Sequence, residues 1–366
     1  MRGSAPGRLD LLGGVGDYSG ALVLETPTRQ GVEVVAHPDD AFVVGPVALH
    51  AGELAALARR RDEDVRRTLA AFPRWTHYAI GVAVVLLRHR VIGPPRVRLE
   101  ISSDLPRSVG LASSAALEVA TARALGAGTL EPLRLAALCQ EAENHVVGVP
   151  CGIMDQVAVT LATPGSVLPI LCRPASTADP VAVPPGVHIL GWPTGVAHDV
   201  GGRQYARARA AAFMGKRMVE EATERSWSWV SELPRDAADE LPDRLDGSAF
   251  LKGWGTTGDE VTTVRPDETY PVRASTLFGI EEHARAVTAL AALADGRPDL
   301  LGPLMAASQA GYEAMGLGHP AASYLVHEAL ARPGVHGARS SGGGCGGTVV
   351  VLCEDGALGD VQGLIH

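Results

Sequence analysis

Lysine is nearly missing from this 366-residue chain: of 32 basic residues only Lys216 and Lys252 are lysines. A mechanism that needs a catalytic or phosphate-gripping lysine therefore has two candidate positions. No Gly-Lys-Ser/Thr occurs, which excludes a Walker-type phosphate loop. Aromatic residues make up only 4%, so the core must be built from Val, Leu, Ala and Ile. No basic block interrupts a net charge of −9, which makes nucleic acid a poor partner. The five cysteines, Cys139, Cys151, Cys172, Cys345 and Cys353, are odd in number and show no CxxC spacing. They read as reduced thiols of a cytosolic protein, with neither a disulfide framework nor a zinc site. The first residues, Met1 to Gly7, lack the apolar core of a signal peptide. The longest apolar run, Tyr78 to Leu87, is too short to cross a bilayer and is expected to be a buried core element. The expected location is the cytoplasm, with no membrane partner.

What is present is enough for a packed protein. Hydrophobic residues at 46% against 20% charged exclude a disordered chain, and the length suits about two domains. Strands are expected at 31–36, 97–101 and 348–352. In the second of these Val97, Leu99 and Ile101 alternate with Arg98 and Glu100, the period of a strand with one wet face. Helices are expected at 114–125, 133–147, 207–224 and 281–293, with Leu138, Glu141, Ala142 and His145 at helical spacing. The order of elements lacks a regular βαβ rhythm, which favours α+β. The Pro-rich segment 173–185 suggests a boundary, placed here between domains 1–178 and 179–366. Segment 220–246 holds nine acidic and three basic residues around Trp227 and Trp229, and reads as a solvated connector in preference to a lid or dimer contact.

Four segments carry chemistry. In Ser102 to Ala116 a strand, a loop of small residues and a Ser-Ser-Ala-Ala helix start follow in order. Exposed amides and a partial positive charge at such a helix start attract anions, although an ordinary Ser-capped helix looks the same locally. Ser340 to Val349 places five glycines in the six positions 342–347. It fits GxGxxG, but a strand follows where a dinucleotide fold needs a helix. A kinase glycine loop is also excluded, because only 19 residues remain after Gly347 and no HRD or DFG occurs. A backbone nest beside another anion site fits this pattern better. Ala5 to Gly20 sets Arg8 and Asp17 around an apolar turn, and Glu141 to Gln156 carries Glu143 and Asp155. Taken singly, each of these polar groups is as readily structural as catalytic.

In this order the four segments resemble the GHMP kinase superfamily, and within it the galactokinase and arabinokinase branch. The resemblance runs through APGRLDLLGGVGDYSGALVLETP, LPRSVGLASSAALEVA, CQEAENHVVGVPCGIMDQ and SSGGGCGGTVVVL. HDVGGRQYARARAAAFMGKRMV and GLGHP are more similar to arabinokinases. It implies a two-domain α+β fold with the active site between domains, ATP and Mg²⁺ as cofactors, and transfer of the γ-phosphate to the anomeric hydroxyl of a sugar. By match of position, Asp155 would act on the 1-hydroxyl and Arg8 would pair with it. Asp17, Gly14, Val15, Gly152 and Tyr205 would bind the sugar. Ser108, Gly110, Leu111, Ala112, Ser113 and Ser114 would form the phosphate loop, with Gly343 and Gly344 of the third motif beside the nucleotide and Trp75 near the adenine. Ser114 and Glu143 would hold Mg²⁺. The set is physically coherent, since phosphoryl transfer needs positioning and charge neutralisation more than covalent chemistry. An arginine-held carboxylate is a weak base, so orienting the hydroxyl and deprotonating it both stay open for Asp155.

Two departures matter. Ser108 stands where the second motif usually has another glycine. Gly14 and Val15 stand where galactokinases carry a glutamate and a histidine that bond the 6-hydroxyl. The second departure points to a sugar lacking that hydroxyl, with L-arabinose first, a C6-extended heptose or octose second, and galactose itself if another group bonds the hydroxyl. A sensor that binds sugar and ATP without turnover is the reading from a different class. A mevalonate- or homoserine-type kinase is disfavoured by the Gly-Ile-Met-Asp-Gln match. Oligomeric state is left open.

Overall fold

The structure is a computed structural model and describes residues 1–106, 109–196 and 202–365. Its chain divides into two compact units, each sewn from separate segments. The first takes Met1–Arg8, Pro27–Pro106 and Ala112–Pro164, and the second takes Leu9–Thr26, Arg107–Leu111 and Gly165–His366. The units therefore do not part at 178/179 as the proline-rich segment suggested. That segment is a surface excursion inside the second unit, while residues 9–26 and 107–111 are recruited to that unit from far upstream.

In the first unit, strand β1 (Arg2–Leu12) enters beside the later half of β2 (Leu22–Pro38). That half of β2 pairs antiparallel with β5 (Val97–Ser103), Ala36 opposite Leu99. The hairpin of β3 (Phe42–Val44) and β4 (Val47–Leu49) adds on, with β3 parallel to β5. In β5, Leu99 is buried and Arg98 and Glu100 are exposed, as the alternation required. Helices α1 (Ala51–Ala58), α2 (Asp62–Leu69), α3 (Thr76–Arg88), α4 (Ser113–Ala124), α5 (Pro132–Glu141) and α6 (Met154–Leu161) complete the unit. The apolar run 78–87 is the buried body of α3, hydrophobic all round because helices pack about it. On α4 the residues Ala115, Ala116, Ala120, Ala122 and Ala124 are small and buried. They let β1 approach so closely that a side chain at Gly3 would meet the Ala120 carbonyl at 2.1 Å.

In the second unit the first half of β2 pairs with β6 (Ser166–Leu171), which also bonds the short β7 (Ser176–Thr177) and β8 (Val181–Ala182). Beyond β9 (Val187–Pro193) come α7 (Arg203–Thr223), α8 (Arg235–Asp239), β10 (Leu245–Asp246), α9 (Gly247–Trp254), β11 (Thr269–Tyr270) and α10 (Val272–Ala294). Then follow α11 (Leu301–Met315), α12 (Pro320–Leu330), β12 (Val335–Ser340), β13 (Thr348–Glu354) and α13 (Asp355–Ile365). Strands β12, β13 and β9 form an antiparallel sheet in that order. Val349, Val351 and Cys353 of β13 share a cluster with Ala322, Val326 and Ala329 of α12 and Ala357 and Val361 of α13. A larger cluster gathers α7, α10 and α11 around Val15, Tyr18, Phe213, Phe278 and Tyr312. In segment 220–246, Trp227 packs on this cluster and the Trp229 indole fills the space beside Gly20. Both indoles thus have a place against their own unit.

Candidate active site

The first unit holds a knot of charge around the start of α6. Asp155 lies in that helix's first turn, where a carboxylate is favoured by the helix dipole. Arg8, at the end of the unit's first segment and almost wholly buried, donates from Nε at 2.9 Å and from NH2 at 2.7 Å, both to Asp155 Oδ1. Asp155 itself keeps a fifth of its side chain exposed. The preceding turn is fixed by Asn144, whose Oδ1 accepts from the Cys151 amide at 2.7 Å and whose Nδ2 donates to the Cys151 carbonyl at 3.2 Å. Gly152 is buried in this turn.

Glu143 sits where the expected helix 133–147 changes register. Regular α-helix ends at Glu141, and residues 142–147 form a π turn. Both Gly148 and Val149 donate their amides to the Glu143 carbonyl, at 2.9 and 3.0 Å. Single π turns of this kind gather at functional sites. The Glu143 carboxylate is buried, with the Ser114 hydroxyl and Cys151 thiol against it, and it accepts from Gln156 Nε2 at 2.7 Å. Burial first and the Asp155 charge second push its pKa up to about 7. The same Gln156 nitrogen donates to Glu118 Oε2 at 3.1 Å. Burial, and then the Glu143 charge, also raise Glu118.

The donors here fit Mg²⁺. Among the described residues no group of three or more His, Cys, Asp and Glu makes a ready metal cage. Mg²⁺ does not ask for one: it takes one or two carboxylates, keeps waters and shares substrate phosphates. A buried carboxylate that resists ionisation beside a second carboxylate and a hydroxyl is a place where a hard cation is stabilising.

In the loop that leads into α4, Gly110 and Ala112 both have left-handed backbone, φ 77° and 57°. For alanine that conformation costs about 1–2 kcal/mol, and such strain is typical of ligand-holding turns. Helix α4 opens at Ser113 with no side chain capping it, so its first amides keep their donors for an anion. Leu111 is buried at the same loop. Ser108 lies outside the described residues. Trp75, half-exposed, covers Gly45 in the β3–β4 turn, where a Cβ would meet its ring at 2.6 Å.

The second unit holds the first-motif turn. Asp17 and Tyr18 are buried in a 3-10 turn over Gly14–Ser19, and Asp17 Oδ1 accepts from the Tyr18 amide at 2.6 Å. Tyr205 of α7 meets the Tyr18 ring edge-on at 5.8 Å. Arg209, one turn further, lies 5.3 Å over Tyr18 and 5.0 Å over Phe213, and grips both oxygens of Asp259 at 3.0 and 3.1 Å. The turn's amides are held by side chains: Gly13 by Glu282 at 3.0 Å, Gly14 by Asp10 at 3.1 Å and Val15 by the Tyr312 hydroxyl at 3.0 Å. A Cβ on Gly14, at φ 46°, would stand 1.8 Å from that hydroxyl.

The glycine-rich segment is the hairpin turn between β12 and β13. Gly342, Gly344, Cys345, Gly346 and Gly347 all have positive φ. Gly344 has a reason beyond its backbone, since a Cβ there would meet the Leu317 carbonyl at 2.7 Å and Tyr312 at 2.9 Å. Gly343 lies in the same turn. Arg8 with Asp155, Ser114 with Glu143, and Asp17 with Tyr205 by way of Tyr18 are thus the sequence-derived residues that the structure groups within a unit. Gln156, Glu118, Asn144, Arg209 and Tyr312 were not singled out by sequence. Gln156 follows Asp155 directly, and its neighbourhood was the available signal; the others sit on helices with ordinary spacing.

Residues 77–163 match the GHMP kinases N terminal domain, and residues 289–362 match the GHMP kinases C terminal domain. A galactokinase of Chloroflexus aggregans is 33% identical over 362 residues, covering 96% of this chain and 83% of that protein. An L-arabinokinase of Arabidopsis thaliana is 29% identical over 436 residues, covering 95% of this chain but only 42% of that longer protein. In fold, the crystal structure of Lactococcus lactis galactokinase complexed with galactose superposes with a TM-score of 0.79 at 20% identity, over all of this chain and 88% of that one.

Proposed function

We propose that this chain, which belongs to the GHMP kinases and is a sugar kinase of galactokinase type, transfers the γ-phosphate of ATP to the anomeric hydroxyl of L-arabinose. The observation that carries the choice of sugar is the filling of the space beside Gly14 by the Tyr312 hydroxyl. Neither Gly14 nor Val15 offers a side chain to a 6-hydroxyl, and a buried hydroxyl without a partner costs about 1–3 kcal/mol. Gly16 gives no room either, with Ala21 Cβ 3.1 Å from where its own Cβ would be. An extension at C6 thus has no opening at these glycines, whereas L-arabinopyranose has the ring stereochemistry of galactose and nothing at that position. The similarity to an L-arabinokinase points the same way. Galactose is the second reading, favoured by the 33% identical galactokinase.

In this reading Asp155 accepts a hydrogen bond from the 1-hydroxyl and aims its oxygen for in-line attack. Arg8 fixes the carboxylate through two donors and steadies the charge that moves from hydroxyl to phosphate. Asp17 holds ring hydroxyls, with Gly152 and Tyr205 lining the sugar. The amides that open α4, with Gly110 to Ser114, cradle the phosphates, Gly343 and Gly344 lie beside the nucleotide, and Trp75 lies near the adenine. Ser114 and Glu143 would hold Mg²⁺, which supplies positive charge to the phosphates when bound. The intact Arg8–Asp155 pair speaks against a sensor without turnover. The deciding experiment is kcat/KM for L-arabinose, D-fucose, galactose and a C6-extended sugar, with phosphorus NMR of the product. Preference for galactose over all others would overturn the choice of sugar, and absence of any sugar 1-phosphate would overturn the activity.

A further inference from the structure

Gly342, the first residue of the glycine-rich turn, is tied through both its amide and its carbonyl to the first-motif turn. Its amide donates to Asp10 Oδ2 at 3.0 Å, and Asp10 Oδ1 accepts from the Gly14 amide. Its carbonyl accepts from the Tyr312 hydroxyl, which in turn accepts from the Val15 amide at 3.0 Å. Asp10 and Tyr312 are themselves locked. Arg339 donates to Asp10 at 2.8 Å and stacks 5.0 Å over the Tyr312 ring, and all three side chains are buried. At the far end of the same hairpin, the Thr348 hydroxyl donates to the Val109 carbonyl of the phosphate loop at 2.7 Å. Every link in this series belongs to the second unit.

We propose that Tyr312 is a positioning residue that couples the sugar turn to the phosphate loop through Gly342 and Thr348, so that sugar and nucleotide bind with positive cooperativity. The inference rests on the reading that the first motif takes sugar and the second takes ATP, and it holds for either L-arabinose or galactose. Packed, fully bonded turns do not deform gradually, so an ordering of one by its ligand is felt at the other. The small residues fit this arrangement, since Gly14 and Gly344 both lack a side chain where Tyr312 stands.

The test is calorimetric titration of the full chain with L-arabinose, or galactose should that be the sugar turned over. It is run with and without Mg²⁺ and β,γ-imido-ATP. The wild type should bind sugar about fivefold or more tightly with the nucleotide present. Tyr312→Phe, which keeps the ring and deletes the hydroxyl's bonds to Gly342 and Val15 but leaves the Asp10 bridge, should cut that ratio by at least half while leaving nucleotide affinity within twofold. Thr348→Val breaks the far link and should do the same, which keeps the test decisive if the tyrosine variant folds poorly. Hydrogen exchange adds a second readout: sugar should protect amides of 341–348 in the wild type and less in Tyr312→Phe. A wild type without coupling, or a folded variant that keeps it in full, overturns the inference alone. A wild type that binds none of the tested sugars overturns the functional reading and this inference with it.

Discussion

Both donors that Arg8 offers to Asp155 converge on a single oxygen, Oδ1, at 2.9 and 2.7 Å. One carboxylate oxygen is thus the anchor, and Oδ2 receives neither of these bonds. Asp155→Asn keeps an oxygen for the anchor and removes the charge, and should cut kcat by at least about 10²-fold with little change in melting temperature. Arg8→Lys, which cannot make the forked contact, should also lose most turnover. Steady-state rates alongside thermal melts check this pair; a variant retaining near wild-type kcat removes the assigned role.

Glu143→Ala should raise the Mg²⁺ concentration needed for half-maximal rate by about tenfold or more, as loss of a direct ligand does. Gln156→Leu, which leaves Glu143 and Glu118 without their shared donor, should raise it less. Mn²⁺ binding followed by electron paramagnetic resonance gives the same order without turnover. Identical metal dependence in Glu143→Ala and wild type would assign Glu143 to structure alone.

The raised pKa of Glu143 has a sign in stability. An exposed glutamate titrates near 4.5 and this one is pushed up to about 7, so between those values the folded chain holds more protons than the unfolded one. This group's contribution is fully present below pH 4.5 and is lost as pH rises through 7. The loss is largest without divalent cations to offset the charge. Urea unfolding at pH 5 and 7.5 should show that Glu143→Gln loses less stability than wild type over the interval, and Mg²⁺ should shrink the difference. Equal pH dependence in the two proteins would contradict the assignment.

Restoring the galactokinase residue at position 14 should fail by itself. Gly14→Glu must place Cβ 1.8 Å from the Tyr312 hydroxyl at positive φ, and should destabilise by about 2–4 kcal/mol. Adding Tyr312→Ala clears the space and should recover part of that loss relative to the sum of the single changes. A double-mutant cycle by denaturant unfolding measures the coupling. Strict additivity would mean that the turn relaxes away from Tyr312 unaided.

The strands at 31–36 and 348–352 were legible as short apolar runs and 97–101 by its alternation, and the four motifs were legible because their chemistry is written in consecutive residues. The π turn at 142–147 was not, since the composition of Ala142 to Val147 suits an α-helix and the register changes only through where Gly148 and Val149 donate. Tyr312, Glu282 and Arg339 escaped notice for another reason. Their partners Val15, Gly13 and Asp10 lie hundreds of residues away, and no local pattern marks a helix residue that serves a distant turn. The same distance hid the division into units, which depends on contacts between segments and not on a proline-rich stretch.

Those distances also order events during synthesis. The first-motif turn leaves the ribosome early, yet Glu282, Tyr312 and Arg339, which secure Gly13, Val15 and Asp10, follow 269, 297 and 329 residues later. At about 5–20 residues per second, that is a delay of tens of seconds for a bacterial-type or eukaryotic ribosome. The first functional segment made is therefore among the last to be completed. A nascent chain shorter than 339 residues lacks the arginine that pairs with Asp10 in the finished fold.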